Sequence, residues 1–149
     1  LKGLSPRQNR NIPPLNYQKV YSIKDDFPEL EIIINGGINN ISEAKNHLNF
    51  VDGVMLGRAA YDDPFMLSDI DSEIYANTKI EISRKDLLTE YLDYVHLMTK
   101  KGYDPKIMLK HVFGLKKGEK DAKRFRVKVA EIMNSSSLVE NKDELLSMV

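Results

Sequence analysis

Apolar residues recur with two rhythms along this chain. Early on they form short unbroken runs, Ile32-Ile33-Ile34 and Val54-Met55-Leu56, and each run stops at glycine within two residues. Such runs predict strands over 31–35 and 53–56. Ahead of them Leu15, Tyr17, Val20, Tyr21 and Ile23 follow helical spacing from Leu15 to about Phe27, and Pro28 ends the pattern. Between the strands, Ile38 to Ser42 reads as a turn into a helix. Ser42 is the expected N-cap, with Ala44, Leu48 and Val51 on the inner face. Two strands joined by so short a helical crossover must run parallel. Parallel strands are normally covered on both faces, so the pattern calls for more strands than this chain supplies.

Beyond Arg58 no further strand pattern appears. Ser83-Arg84-Lys85-Asp86 has the spacing of a capping box. Leu88, Tyr91, Leu92, Val95 and Met98 then recur at helical spacing up to Gly102. Pro105 fits the first turn of another helix carrying Ile107, Met108, His111 and Val112, stopped near Gly114. After Gly118, Ala122, Phe125, Val129 and Ile132 share one face of a third helix, and Leu145, Leu146 and Met148 suggest a last short one. Residues 1–14, with Gly3, Pro6, Pro13 and Pro14, read as an irregular loop, and Ser135-Ser136-Ser137 as a small linker. The chain thus divides near residue 78 into a βα part, 1–78, and a helical part, 79–149.

The glycines that end the strands carry the first candidate chemistry. Asn35-Gly36-Gly37 and Gly57-Arg58 both stand where a strand gives way to a helix. Glycine lets backbone N–H groups approach an anion closely, and arginine adds charge-assisted bonds to phosphate. A (β/α)₈ barrel builds its phosphate site from the loops after its last two strands. The alternative is that these glycines merely turn the chain. Two such sites in tandem, one ending Gly-Arg, favour phosphate. A whole barrel needs roughly 200 residues or more, and this chain has 149. Leu1 in place of an initiator Met predicts a chain cut from something longer.

Formal net charge is zero, but it is unevenly spread. Residues 116–128 hold Lys116, Lys117, Lys120, Lys123, Arg124, Arg126 and Lys128 against only Glu119 and Asp121. Lys123, Arg124, Arg126 and Lys128 are expected to project outward around the apolar face. A charge run is usually a solvated face. This one is nearly single-signed, however, and Arg7 and Arg10 make a second basic cluster, so a localised polyanion contact is the sharper reading. The chain has no cysteine, hence no disulfide, thiolate ligand or cysteine nucleophile. That fits a cytoplasmic protein. No apolar run approaches the ~20 residues of a membrane span, and no membrane role is expected. His47, His96 and His111 lack metal-like spacing and read as structural; no metal site is expected. Tyr61 reads as a core aromatic or a neighbour of the ligand. Met98, Met108 and Met133 read as core.

Several of these blocks together closely resemble the A-type tRNA-dihydrouridine synthases, of the tRNA-dihydrouridine(20/20a) class. They are Leu1-Lys2-Gly3-Leu4-Ser5-Pro6, Asn9-Arg10, Ile12-Pro13-Pro14-Leu15, Ile34-Asn35-Gly36-Gly37-Ile38 and Val51-Asp52-Gly53-Val54-Met55-Leu56-Gly57-Arg58-Ala59-Ala60-Tyr61. Leu109-Lys110-His111-Val112-Phe113-Gly114-Leu115 and Ala122-Lys123-Arg124-Phe125-Arg126 are similar to that family's C-terminal helical domain. The resemblance implies an FMN-binding (β/α)₈ barrel followed by a helical tRNA-binding domain. It implies that FMN, reduced by NADPH, passes hydride to the C5–C6 double bond of a D-loop uridine while a cysteine acts as general acid. It places Asn35, Gly36, Gly37, Gly57 and Arg58 at the FMN phosphate, and Arg7, Arg10, Lys123, Arg124 and Arg126 on tRNA. The chain departs from the family in lacking that cysteine, the first strands, and the lysine and histidine that line the flavin.

The expectation is therefore an α/β fold: the last strands of a (β/α)₈ TIM barrel over 1–78, and an all-α tRNA-binding bundle over 79–149. It would be the C-terminal portion of a flavin oxidoreductase acting on tRNA, inactive alone. Its unpaired strands predict self-association or a rearranged packing of residues 1–60. The alternatives are an FMN-dependent barrel oxidoreductase on a small molecule, whose helical tail should lack a basic face, and a stand-alone RNA-binding module.

Overall fold

The computed structural model describes Ser5 and residues 15–78, 80–135 and 138–149. The rest of the expected loop over 1–14 lies outside the described residues, and so do Ser136 and Ser137 of the expected linker. The chain forms two compact units. One comprises the described residues up to Ile38 together with Ser42–Leu56; the other comprises Asn39–Ile41 and Gly57–Val149. The expected boundary near residue 78 falls within the second unit.

In the first unit, helix α1 spans Tyr17–Asp26. It starts at Asn16, whose side-chain oxygen accepts the Lys19 N–H at 3.1 Å, the usual way to satisfy an orphan donor of the first turn. It stops ahead of Pro28, with the Phe27 N–H donating to the Ile23 carbonyl at 2.9 Å. Tyr17, Val20 and Tyr21 face a small core of Ile34, Ile38, Ala44 and Val51. Strands β1, Ile33–Asn35, and β2, Gly53–Met55, pair in parallel with Ile33 opposite Gly53 and Asn35 opposite Met55. Both are shorter than the apolar runs suggested. At the near end the Ile32 carbonyl is shared by the N–H groups of Asp52 and Gly53, so the regular ladder begins one residue later. The Asp52 carboxylate caps the Ile32 N–H at 2.8 Å and pairs with Lys24 at 2.8 Å. The Lys24 ammonium also donates to the carbonyls of Pro28 and Leu30.

Helix α2, Ile41–Leu48, joins the strands. It opens at Ile41, so Ser42 is its second residue and not its cap. Its buried positions are Ala44 and His47, three residues apart, while Leu48 is only half buried. A ring nitrogen can sit inward here because the Tyr21 hydroxyl meets His47 Nδ1 at 2.6 Å; a buried polar group needs such a partner.

In the second unit, a short helix α3, Arg58–Asp62, is followed by a 3₁₀ turn over Pro64–Asp69 and by α4, Ile70–Glu73. Helix α5, Arg84–Lys100, begins at Ser83, whose hydroxyl accepts the Asp86 N–H at 3.0 Å and donates to the Asp86 carboxylate at 2.6 Å. It ends at Gly102, in the left-handed conformation with φ +91° that glycine adopts without strain. Helix α6, Pro105–Leu109, is capped by Asp104 and gives way to a 3₁₀ turn over Lys110–Val112. Ile107 is 60% exposed on this helix, while Leu109 is buried. Helices α7, Ala122–Ser135, and α8, Leu138–Leu146, complete the unit. Leu88, Leu92 and Val95 of α5, Leu109 of α6, Phe125, Val129 and Ile132 of α7 and Leu145 of α8 are buried together with Val112 and Leu115. Among the described residues no strand follows Met55, and no helix is long and apolar enough to cross a membrane.

Candidate functional site

Each unit carries one candidate surface. In the first, the strand register brings Asn35 level with Met55. Gly36 and Gly37 follow β1 directly, with φ +117° and +66°. Side chains rarely adopt either value, so this turn requires glycine. Space requires it too. A Cβ on Gly36 would lie 2.9 Å from a Leu15 methyl, and one on Gly37 would lie 3.2 Å from both Leu15 and the Tyr17 hydroxyl. That hydroxyl donates to the Gly36 carbonyl at 2.7 Å. A left-handed glycine pair of this kind can bring backbone amides against an anion.

Gly57 and Arg58 follow β2 along the chain and open the second unit. Gly57 has φ −99°, so the left-handed requirement falls on Gly36 and Gly37 and not here. Arg58 is exposed and is the first residue of α3. Tyr61 is also exposed and meets His111 edge-on at 5.7 Å, which corrects its reading as a core aromatic. Among the described residues, no group of three or more His, Cys, Asp or Glu could hold a metal ion.

The second surface is the start of α7. Phe125, Val129 and Ile132 point inward, so Lys123, Arg124 and Arg126 stand exposed around them. Their side chains form no ion pair among the described residues. The two acids of the basic run differ in what they meet. Glu119 is engaged by Arg84 at 3.2 Å. Asp121, at φ +62°, accepts the Phe125 N–H on its backbone carbonyl at the helix start. Two members of the run are drawn away. The Lys116 ammonium donates to the Met148 carbonyl. Lys128, expected to project outward, pairs instead with Glu144 at 2.6 Å and Glu131 at 3.7 Å, and the Glu144 hydrogen bond holds its pKa above the usual lysine value. Arg7 and Arg10 lie outside the described residues.

Two residues that matter here had no signal in the pattern. Arg84 donates Nε–H to the Leu115 carbonyl at 3.0 Å and lies 4.0 Å over the Phe65 ring, pinning the loop that leads to α7. Tyr17 reads in the sequence only as one apolar position of a helix. Its hydroxyl contact spans nineteen residues, which no local period reveals.

The first unit thus carries a left-handed glycine pair after its first strand, and the second bares a basic helix start. Comparison with known proteins defines the chain further. The family model for dihydrouridine synthases matches residues 2–148. The chain is 41% identical over 126 residues to a tRNA-dihydrouridine(20/20a) synthase of Pseudomonas putida, covering 85% of this chain and 38% of the relative. It is 42% identical over 126 residues to one of Synechocystis, with the same coverage of 85% and 38%. It is 39% identical over 131 residues to one of Vibrio cholerae, covering 88% and 40%. The chain belongs to the dihydrouridine synthase family. It spans about two fifths of the length of these curated relatives.

Proposed function

We propose that the chain is the C-terminal portion of an FMN-dependent tRNA-dihydrouridine(20/20a) synthase, which reduces a D-loop uridine of tRNA to 5,6-dihydrouridine with NADPH. In this reading residues 1–78 end a (β/α)₈ barrel and residues 79–149 form the tRNA-binding domain. The observation that carries it is the pairing of the family match with a basic helix start whose Lys123, Arg124 and Arg126 are exposed and unpaired among the described residues. A small-molecule oxidoreductase has no use for that face.

The turn residues fit a phosphate ester. Gly36 and Gly37 hold a left-handed backbone that requires glycine and that can turn amides toward an anion; in this reading the phosphate is assigned to Asn35, Gly36, Gly37, Gly57 and Arg58. The bound flavin would supply hydride chemistry. The chain's own residues would hold its phosphate and, through Lys123, Arg124, Arg126, Arg7 and Arg10, orient the tRNA backbone. No cysteine is present to donate a proton, so this stretch alone would form no dihydrouridine. Cytoplasmic location and self-association through the bare strands belong to the same proposal.

The two surfaces should separate by mutation. Loss of one charge-assisted contact costs roughly 1.5–3 kcal/mol, about ten- to a hundredfold in affinity. Arg58→Ala in the full-length enzyme should therefore shed flavin on gel filtration and leave tRNA binding nearly intact. Lys123→Ala with Arg126→Ala should keep flavin and weaken tRNA binding. It should also flatten the salt dependence by about 0.7–0.9 in slope for each lost phosphate contact. Loss of tRNA binding with flavin retained in Arg58→Ala would refute the two-site assignment.

A further inference from the structure

Tyr17 lies in the first turn of α1, and its hydroxyl donates to the Gly36 carbonyl at 2.7 Å. The peptide bond is planar and trans, so the Gly36 C=O and the Gly37 N–H of one peptide plane point in opposite directions. Holding the carbonyl therefore sets the side toward which the Gly37 N–H faces. Such a lock has a purpose here. Both glycines have positive φ, and glycine passes between positive and negative φ at little cost. A Gly-Gly peptide can thus invert while the flanking chain stays in place. Tyr17 is itself held. Its ring meets His47 edge-on at 4.6 Å, the buried His47 shares a 2.6 Å hydrogen bond with Tyr21, and Tyr21 stacks on Phe50 at 4.5 Å. Tyr17 and Tyr21 stand one helical turn apart, so a single face of α1 grips both the glycine turn and α2.

We propose that Tyr17 is a positioning residue for the glycine turn. It selects one orientation of the Gly36–Gly37 peptide, and through it the side from which the turn meets the phosphate ester of a flavin nucleotide. The inference rests on the phosphate role proposed above for that turn. Tyr17 acts through the peptide and not on the ligand.

The test uses the flavin-free full-length enzyme, labelled with nitrogen-15 at glycine, isoleucine and valine, and its Tyr17→Phe variant, which keeps the ring and removes only the hydroxyl. In the free variant the Gly36 and Gly37 amide signals should shift or broaden, while those of Ile34 and Val54 stay. In titrations with FMN and with inorganic phosphate, the turn amides of the unmodified chain should respond. The variant should bind each about three- to tenfold more weakly, the worth of one hydrogen bond. Riboflavin, which lacks the phosphate, should not distinguish the two proteins. If the Ile34 and Val54 signals also collapse, His47→Phe is read the same way, since it leaves the hydroxyl and loosens the ring that carries it. Unmoved Gly36 and Gly37 signals, or equal FMN affinity in variant and parent, overturn the inference. Silence of the parent's turn amides toward both FMN and phosphate overturns the phosphate reading itself.

Discussion

Among the described residues, the helical unit buries ten apolar side chains together, eight of them on four helices. The strand unit buries four of its described residues, Ile34, Ile38, Ala44 and Val51, and leaves Ile33 59% and Met55 46% exposed. The difference follows from how each element closes its hydrogen bonds. A helix satisfies its backbone within itself and needs only one face covered. A parallel strand leaves backbone groups open at each edge and normally has both faces covered. The helical unit can therefore complete its own core, while the strand unit, among the described residues, exposes apolar Ile33 and Met55 and pairs only two strands. The candidate surfaces differ in the same way. The basic face is made of side chains on a helix that is well packed behind. The glycine turn is made of backbone, and its geometry depends on what holds it.

The largest effect tests whether the helical core is as complete as it looks. Phe125 is fully buried at its centre. Phe125→Ala should cost about 3–5 kcal/mol and shift the urea midpoint of the helical unit far down. A loss under 1 kcal/mol would mean that this core is looser than its burial suggests. Gly114→Ala should come next. A Cβ there would lie 2.4 Å from the Asp62 carbonyl oxygen and 2.9 Å from Pro64 Cδ, and such overpacking costs roughly 1–3 kcal/mol. Gly118→Ala is its control. Nothing lies within 4 Å of its would-be Cβ, so only the left-handed φ of +79° is charged, about 1–2 kcal/mol.

In the strand unit the corresponding test is Ile33→Thr. An exposed β-branched residue replaced by another should change stability by no more than about 0.5 kcal/mol. A large loss would show that this face is covered in solution. Sedimentation of the same variant, read beside the parent chain, then reports whether a second copy is what covers it.

The sequence revealed these elements unequally, and for reasons of period. The helical core over 88–98 and 122–132 was legible because its apolar residues recur every three or four positions without interruption. The glycine pair was legible because it sits at the end of an apolar run. Ser42 was misread as a cap because a serine two residues into a helix looks the same in a sequence as one just before it. Lys128 was misread because the acids that claim it, Glu131 and Glu144, include one from the following helix, sixteen residues on, which no period within α7 reveals. Tyr17 was invisible as a site residue because its role depends on one long-range hydrogen bond.

The smallest effects lie in pH, and the two units should fail at opposite ends. In the strand unit, the Ile32 N–H and the Lys24 ammonium beside Asp52 hold its carboxyl below the ordinary value of 3.8. A group with a lowered folded pKa contributes fully above its unfolded pKa and loses that contribution as pH falls through the folded one. The Asp52 share is thus intact at neutral pH and disappears on acidification below about 3.8. In the helical unit, Lys128 titrates above its ordinary 10.5 because Glu144 accepts its hydrogen bond. Its share is complete below 10.5 and lost as pH rises through the higher folded value. Both pairs are partly exposed and screened, so each effect is modest. Urea midpoints across pH, read from amide signals of each unit, separate them. Asp52→Asn should remove acid sensitivity in the strand unit beyond what its other carboxylates supply. Lys128→Met should flatten the alkaline limb of the helical unit alone. If Asp52→Asn left the acid limb of the strand unit unchanged, the contacts among Asp52, Lys24 and Ile32 would contribute nothing to holding the start of β1, and the contrast between the units would rest on packing alone.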